Sequence, residues 1–418
     1  MMNKKPIFAL KLATLVIALG YSLILPVMPF YMENLGAGGR ELGWLTAVYA
    51  LAQTVCAPFW GALSDRIGRK PIISIGIIGY SISLFLFGLA SSFWTLFIAR
   101  SLSGILSSAT SVASLAYVGD SSSEEERSKN MSQLGASMSV GVMMGPLLGG
   151  ILAGYSLALP FFTGAGISFI AFLQILTLLP ESIERSGQTE KRKPFDFSDL
   201  KSIIFGSAGM VLILIFVVQF CQTGLQGITG LYVVDKFGFS SKQVGVIWMA
   251  LAGILIVVQG FLTGPLAKKI GEKRLILIGM FCKALVAFAM VLTTGFVSVL
   301  VVFGLFAVSS AITVPTLNAT LSKTDNQHKG TLMGFASTAG NLSKVIAPLL
   351  TGYLYESNIE LPYITTGGIA LIGVVICCIW IKIKRINDGR GRLLKPIISL
   401  IHVPRQSTVH INCLGCWL

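Results

Sequence analysis

The chain has 418 residues, 54% of them hydrophobic and only 12% charged. A soluble domain carries roughly twice that charged fraction, so most of this surface has to be solvated by lipid, and a water-soluble enzyme is excluded. The net charge of +14 would suit a nucleic acid, but the cations are sorted by loop and form no single patch, so no nucleic-acid partner is expected.

A helix needs about 20 apolar residues to cross the hydrocarbon core, and in lipid each backbone polar group must be bonded within the segment. On that measure the sequence predicts an all-α membrane protein of twelve transmembrane helices, over 8–30, 41–63, 72–92, 94–119, 131–154, 159–179, 205–233, 243–265, 274–294, 297–320, 330–354 and 361–382. The first run follows Met1-Met2-Asn3-Lys4-Lys5; it is too long for a signal peptide and lacks the small-residue cleavage site. Of the 32 Lys and Arg, only Arg40, Lys236 and Lys242 fall in loops on the side of the first-to-second connection. Arg100, Lys283 and Lys344 fall inside spans, and the rest lie in or beside the termini and the alternate loops. Such asymmetry predicts a multi-pass protein of the cell membrane with both termini cytoplasmic. Of the seven cysteines, Cys56, Cys221, Cys282, Cys377 and Cys378 lie in spans, where a thiol is a small apolar side chain.

Between spans two and three runs Gly61-Ala62-Leu63-Ser64-Asp65-Arg66-Ile67-Gly68-Arg69-Lys70, and an altered copy stands at Gly264-Pro265-Leu266-Ala267-Lys268-Lys269-Ile270-Gly271-Glu272-Lys273. The two are 203 residues apart, and Pro146-Leu147-Leu148 with Gly150 matches Pro348-Leu349-Leu350 with Gly352 at a shift of 202. Two matches at nearly one offset predict duplicated six-helix halves, 1–180 and 205–385, related by an axis along the membrane normal. The mixed-charge stretch 181–204 is expected to link them on the cytoplasmic side. Residues 386–418 fit neither half and are expected to lack fixed structure. Their Cys413-Leu414-Gly415-Cys416 has no second ligand pair nearby, so neither metal nor cofactor is expected.

The charged segment predicts a gate. Gly61 and Gly68 permit close backbone approach and a tight turn; Asp65 stands at the end of helix 2, and Arg66, Arg69 and Lys70 are cations at the interface. Asp120 ends helix 4 on the same side. An Asp65–Arg–Asp120 cluster is expected to lock helix 2 in one conformation and release it in another. In helix 5, Gly141, Gly145, Pro146, Gly149 and Gly150 make a small-residue face with a kink, expected to slide against a helix of the other half.

Inside the spans no acid lies near mid-depth: Glu33, Glu41, Asp120, Asp235 and Glu356 all lie at helix ends. Arg100 stands about six residues, or roughly 9 Å, from the outer end of helix 4, where a cation costs a few kcal/mol unless it meets a cavity or a partner. Lys344 lies four residues before Pro348, and its repeat partner is Val142. Gln219, Gln222 and Gln226 recur at i+3 and i+4 spacing on helix 7. With Asn341 and Trp248 these residues predict a substrate cavity whose cations and amides suit a carboxylate better than a lipophilic cation. Lys283 falls on helix 9.

Residues 61–70 resemble the loop 2–3 motif of the major facilitator superfamily, complete from Gly61 to Lys70. Leu96 through Arg100 to Gly104 resembles the helix 4 motif of its drug:proton antiporters, with Ser103 where Gln is usual. Gly141 to Gly150 resembles their helix 5 antiporter motif in full, and Pro26 and Pro29 match the proline pair ending helix 1. The resemblance covers about 1–385. It implies the major facilitator fold, alternating access between two halves, export in exchange for protons, a part for Arg100 in proton transfer, and a peripheral place for helices 3, 6, 9 and 12.

The resulting expectation is a secondary transporter, not an enzyme, acting as a monomer with a small molecule, protons and membrane lipids as its partners. Arg100, Asp65 and Asp120 are the candidates for coupling. The expected cargo is an anionic or zwitterionic metabolite such as a carboxylate siderophore, with broad multidrug efflux as the alternative.

Overall fold

A computed structural model describes residues 4–181, 207–323 and 329–401; most of the 181–204 linker and the Cys413–Cys416 pair lie outside these residues. Within them every regular element is helical. The first half comprises α1 (Lys4–Ile24), α2 (Met28–Asn34), α3 (Gly39–Ile67), α4 (Arg69–Gly88), α5 (Phe93–Ser121), α6 (Glu124–Ala153) and α7 (Leu159–Leu178). The second comprises α8 (Ser207–Phe237), α9 (Ser241–Val257), a π-helical turn (Val258–Leu262), α10 (Thr263–Ile270), α11 (Glu272–Val291), α12 (Phe296–Ser322), α13 (Lys329–Ser357) and α14 (Leu361–Ile401). Taking α1 with α2, and α9 with α10, as single columns gives twelve. By length and composition eleven of these can cross a membrane. The other, α13, is less apolar because Ser337, Asn341 and Lys344 face a cavity. At 29 residues, about 44 Å, it is long enough, and it is packed between α3 and α8.

The helices overrun the expected limits because a helix does not stop where the lipid does. The first span divides: α1 ends before Pro26, and Pro29 enters α2 in its first turn, where a missing N–H leaves no bond unmade. The 61–70 segment is helical except at Gly68, whose φ of 107° turns α3 directly into α4. Gly61 makes neither the turn nor the close approach expected of it: it lies inside α3, in ordinary contact with Val112. The last helix continues to Ile401, past the 385 boundary into the tail expected to lack structure. Once nucleated, a helix adds one hydrogen bond per residue ordered.

The halves repeat even their helix starts. The Gly38 N–H donates to Glu41 Oε2 at 2.9 Å, and 202 residues later the Ser240 N–H donates to Gln243 Oε1 at 2.9 Å. The Ser92 N–H donates to Thr95 Oγ1 at 3.2 Å, as the Gly295 N–H does to Ser298 Oγ at 3.1 Å. Each side chain satisfies an N–H left without an intrahelical acceptor.

The buried apolar residues show where the space lies. One cluster crosses both halves, with Ile24, Leu42, Tyr80, Leu225, Trp248, Phe303 and Tyr363, all towards the face opposite the termini. Towards the terminal face the core splits into two large clusters, one in each half, besides a small one around Val258 and Leu275. One of the large pair holds Leu10, Ile72 and Tyr117 in the first half; the other holds Leu214, Ile276 and Trp380 in the second. Continuous packing at one face and divided packing at the other leaves a cavity between the halves.

Candidate functional site

The closed face is built from glycine against carbonyl, twice over. A β-carbon on Gly245 of α9 would sit 2.5 Å from the Pro146 carbonyl oxygen of α6, and one on Gly150 would run into the Ser241 carbonyl. The same contacts recur across α3 and α13, Gly43 against the Pro348 carbonyl and Gly352 against that of Gly39. The Ser241 hydroxyl also donates to the Gly150 carbonyl at 3.0 Å, and Arg40 lies 3.7 Å from Glu356 at the rim. Any larger side chain at these glycines would hold the halves apart.

Only part of the helix 5 motif reaches the other half, contrary to expectation. Gly141, Gly145 and Gly149 pack on Leu15, Leu19, Ser22 and Leu23 of α1, within their own half, and the Ser22 hydroxyl donates to the Gly141 carbonyl at 3.0 Å. Of the five named residues, Pro146 and Gly150 are the ones that meet α9 of the other half. A helix has several faces, and glycines spaced by four or five positions divide between two neighbours.

Between the halves lie two overlapping cavities, of about 560 and 750 Å³, sharing Tyr21, Thr46, Met138, Val142, Gln222 and Gln226. Gln219 and Lys344 line the first; Arg100 and Trp248 line the second. Asn341 lines neither, and faces instead a side cavity of about 250 Å³ together with Gln219 and Lys344. Among the described residues no Asp or Glu lines any of the three. Lys283 lines none of them. It is 1% exposed, with Nζ 5.2 Å from the centre of the Phe306 ring and no hydrogen-bond partner among the described residues.

Arg100 is 4% exposed, yet its Nε and Nη1 have no hydrogen-bond partner among the described residues. Its guanidinium lies 4.4 Å from the centre of the Tyr49 ring and 5.4 Å from that of Tyr21. Tyr49 shares a hydrogen bond with Ser107 at 3.1 Å. A cation over a desolvated aromatic face gains about 2 kcal/mol, which offsets part of the burial. Sequence reasoning missed both tyrosines. They stand in α1 and α3, and nothing in their local spacing points to α5.

At the terminal face Arg69 gathers the expected cluster. Its Nη1 lies 2.5 Å from Asp65 and donates to the Ser64 hydroxyl at 2.6 Å, and its Nε lies 2.8 Å from Asp120. The Lys70 ammonium donates to the Leu176 carbonyl at 2.8 Å, while Arg66 stays exposed. Glu181, assigned above to the linker, accepts from the Arg69 and Lys70 N–H groups at 2.9 and 3.2 Å. Those are unsatisfied donors at the positive end of α4, where an acid is favoured. An acid directly after Pro180 at the end of an apolar run was the signal available. The Glu181 carboxylate occupies the place a Gly68 side chain would take. All these partners belong to the first half, so the cluster braces α3, α4, α5 and the end of α7 against one another.

The sequence profile of the Major Facilitator Superfamily matches residues 10–343. The chain is 32% identical over 392 residues to Multidrug resistance protein 2 of Bacillus subtilis, covering 93% of this chain and 98% of that one. It is 28% identical over 380 residues to the Quinolone resistance protein NorA of Staphylococcus aureus, covering 90% and 97%. It is 31% identical over 378 residues to the class B Tetracycline resistance protein of Escherichia coli, covering 89% and 93%. Among solved structures, the nucleoside transporter NupG has the same fold, with a TM-score of 0.74 at 13% identity, covering 90% of this chain and 100% of that one. So does a bacterial homolog of the human lysosomal transporter Spinster in an inward-facing, occupied conformation, with a TM-score of 0.73 at 15% identity, covering 90% and 96%. A twelve-column bundle whose halves enclose a cavity, matched along nearly its whole length by membrane carriers, belongs to the major facilitator superfamily, and the chain is a multi-pass membrane transporter.

Proposed function

We propose that the chain is a broad-specificity exporter of small amphipathic molecules, working by alternating access in exchange for protons. The observation that carries this is the cavity itself. Its walls combine Met28, Met138, Trp248 and Leu251 with Gln222 and Gln226, and polarizable or amide-bearing walls of this kind accept varied shapes. The relatives are named for resistance to several drugs, to quinolones and to tetracycline, which favours multidrug efflux over the carboxylate siderophore. The cavity's positive lining is the one feature that speaks for an acidic cargo.

On this reading the positive-inside asymmetry puts both termini in the cytoplasm, so that the split core opens inward and the glycine contacts seal the outside. The monomer suffices, since both halves of the cavity come from one chain. Arg100, with Nε and Nη1 unbonded beside the cavity, and Asp65 and Asp120 around Arg69 at the terminal face are the coupling candidates. The cluster around Arg69 holds the first half rigid while the two halves rock.

The test is dye accumulation in bacterial cells lacking their own efflux pumps. Expression is expected to lower the steady level of ethidium and of a second, chemically unrelated dye, and a protonophore should restore both. Equal accumulation in expressing and empty cells for every dye tried would remove the efflux reading; efflux that survives the protonophore would remove the proton coupling.

A further inference from the structure

Resting on the efflux reading, we infer that Lys344 and the polar side cavity around it hold an anionic group, so that the favoured substrates are amphipathic molecules bearing a carboxylate. The side cavity lies between α8, α12 and α13, and its polar lining is Gln219, Asn318, Ser337, Asn341 and Lys344. Gln219 and Lys344 also line the 560 Å³ cavity, so the two spaces adjoin at these side chains. The side cavity's volume of about 250 Å³ takes the acid end of a molecule and leaves the rest in the main cavity.

Among the described residues no carboxylate reaches Lys344, and none lines the cavities. A lysine deep in a membrane bundle without a counter-ion is retained at a cost and faces a cavity or a pathway. An incoming carboxylate supplies the missing charge through charge-assisted hydrogen bonds. A second donor stands beside it: Gln219 Nε2 lies 3.6 Å from where a Gly340 β-carbon would be, one helical turn before Lys344 on the same helix.

The two halves differ here. At a shift of 202, Val142 takes the place of Lys344 and Ile17 that of Gln219, and both line the main cavity. An amphipathic acid therefore meets an apolar wall from α1 and α6 and a hydrogen-bonding wall from α8 and α13. Duplication explains the backbone at 344, but not its charge.

The test compares a rhodamine carrying a free carboxylate with the same dye as its methyl ester, in proteoliposomes or in cells, at expression levels matched by immunoblot. Wild type is expected to export the acid in preference to the ester. Lys344→Gln should lower the acid-to-ester ratio by about tenfold or more, as expected for losing one charged hydrogen bond, and Lys344→Arg should keep it. Asn341→Asp, which puts an acid into the side cavity, should lower the ratio too, and serves if Lys344→Gln does not reach the membrane. An unchanged ratio in these variants, or an equal fall for both dyes, overturns the assignment while efflux itself stands. Failure of wild type to export either dye or ethidium overturns the efflux reading along with it.

Discussion

Arg69 and Glu272 occupy the same place in the two halves with opposite charge. Each opens a helix directly after a glycine of positive φ, Gly68 at 107° and Gly271 at 88°, and each pairs with the residue 51 positions further on, Arg69 with Asp120 and Glu272 with Lys323. Each half thus has an ion pair where α4 meets α5 and where α11 meets α12, with the sign reversed between the two. The pairs are not equal. The Arg69 side chain is 10% exposed and also holds Asp65, whereas that of Lys323 is 68% exposed.

Unequal burial predicts unequal loss. Arg69→Gln leaves two carboxylates without their cation and is expected to destabilise by about 1–3 kcal/mol. Lys323→Gln removes a screened surface pair and should cost less than about 1 kcal/mol. Melting temperatures of the two purified variants in one detergent give the order, and a larger drop for Lys323→Gln would reverse the assignment of the main brace.

Gly43 and Gly245 are predicted to be conformational residues. Valine at either puts methyl groups where a carbonyl now lies, and should prop open the face opposite the termini. Spin labels at Arg40 and Glu356, which lie together at that rim, are expected to move apart and to broaden in distance distribution, with transport lost and expression retained. Labels that stay together in Gly43→Val would show that the glycine is tolerant of bulk.

Lys283 is expected to weaken the fold that contains it. Its ammonium is buried against Phe306 with no hydrogen-bond acceptor, and replacing a buried charge by an apolar side chain of similar length is often neutral or stabilising by about 1–4 kcal/mol. Lys283→Met should therefore melt at the same temperature as wild type or higher. A marked fall in melting temperature would mean that the lysine has a partner when the protein sits in lipid.

Arg100 and Tyr49 should be coupled. A lysine keeps the charge of Arg100 but not the flat face that lies over the ring, so Arg100→Lys is predicted to lower transport about tenfold or more. In a double-mutant cycle with Tyr49→Leu the two losses should fall short of additive by about 1–2 kcal/mol in transport rate. Strict additivity would separate the tyrosine from the function of the arginine.

The helical columns were legible in the letters because hydropathy is a local property, and the repeat was legible because duplication leaves a constant offset. Helix ends were less so. The turn at Gly68 was expected, but Gly61 was assigned a role that its interior position in α3 does not allow. Arg69, Asp65 and Asp120 came together as expected, since each lies at a helix end on one face. Glu181 escaped notice, because its donors lie more than a hundred residues away.

Chain order and composition by themselves determined a lipid-solvated bundle of two like halves, its glycine-rich fifth span, and an interior carrying cations but no acid at mid-depth. Tertiary structure alone decided which helix each glycine meets, that Arg100 rests on Tyr21 and Tyr49, that Lys344 opens into a side cavity, and that Lys283 faces none. The reason is one of range: solvation of a segment depends on its own side chains, whereas the partner of a side chain depends on which segments, far apart in the chain, are packed around it.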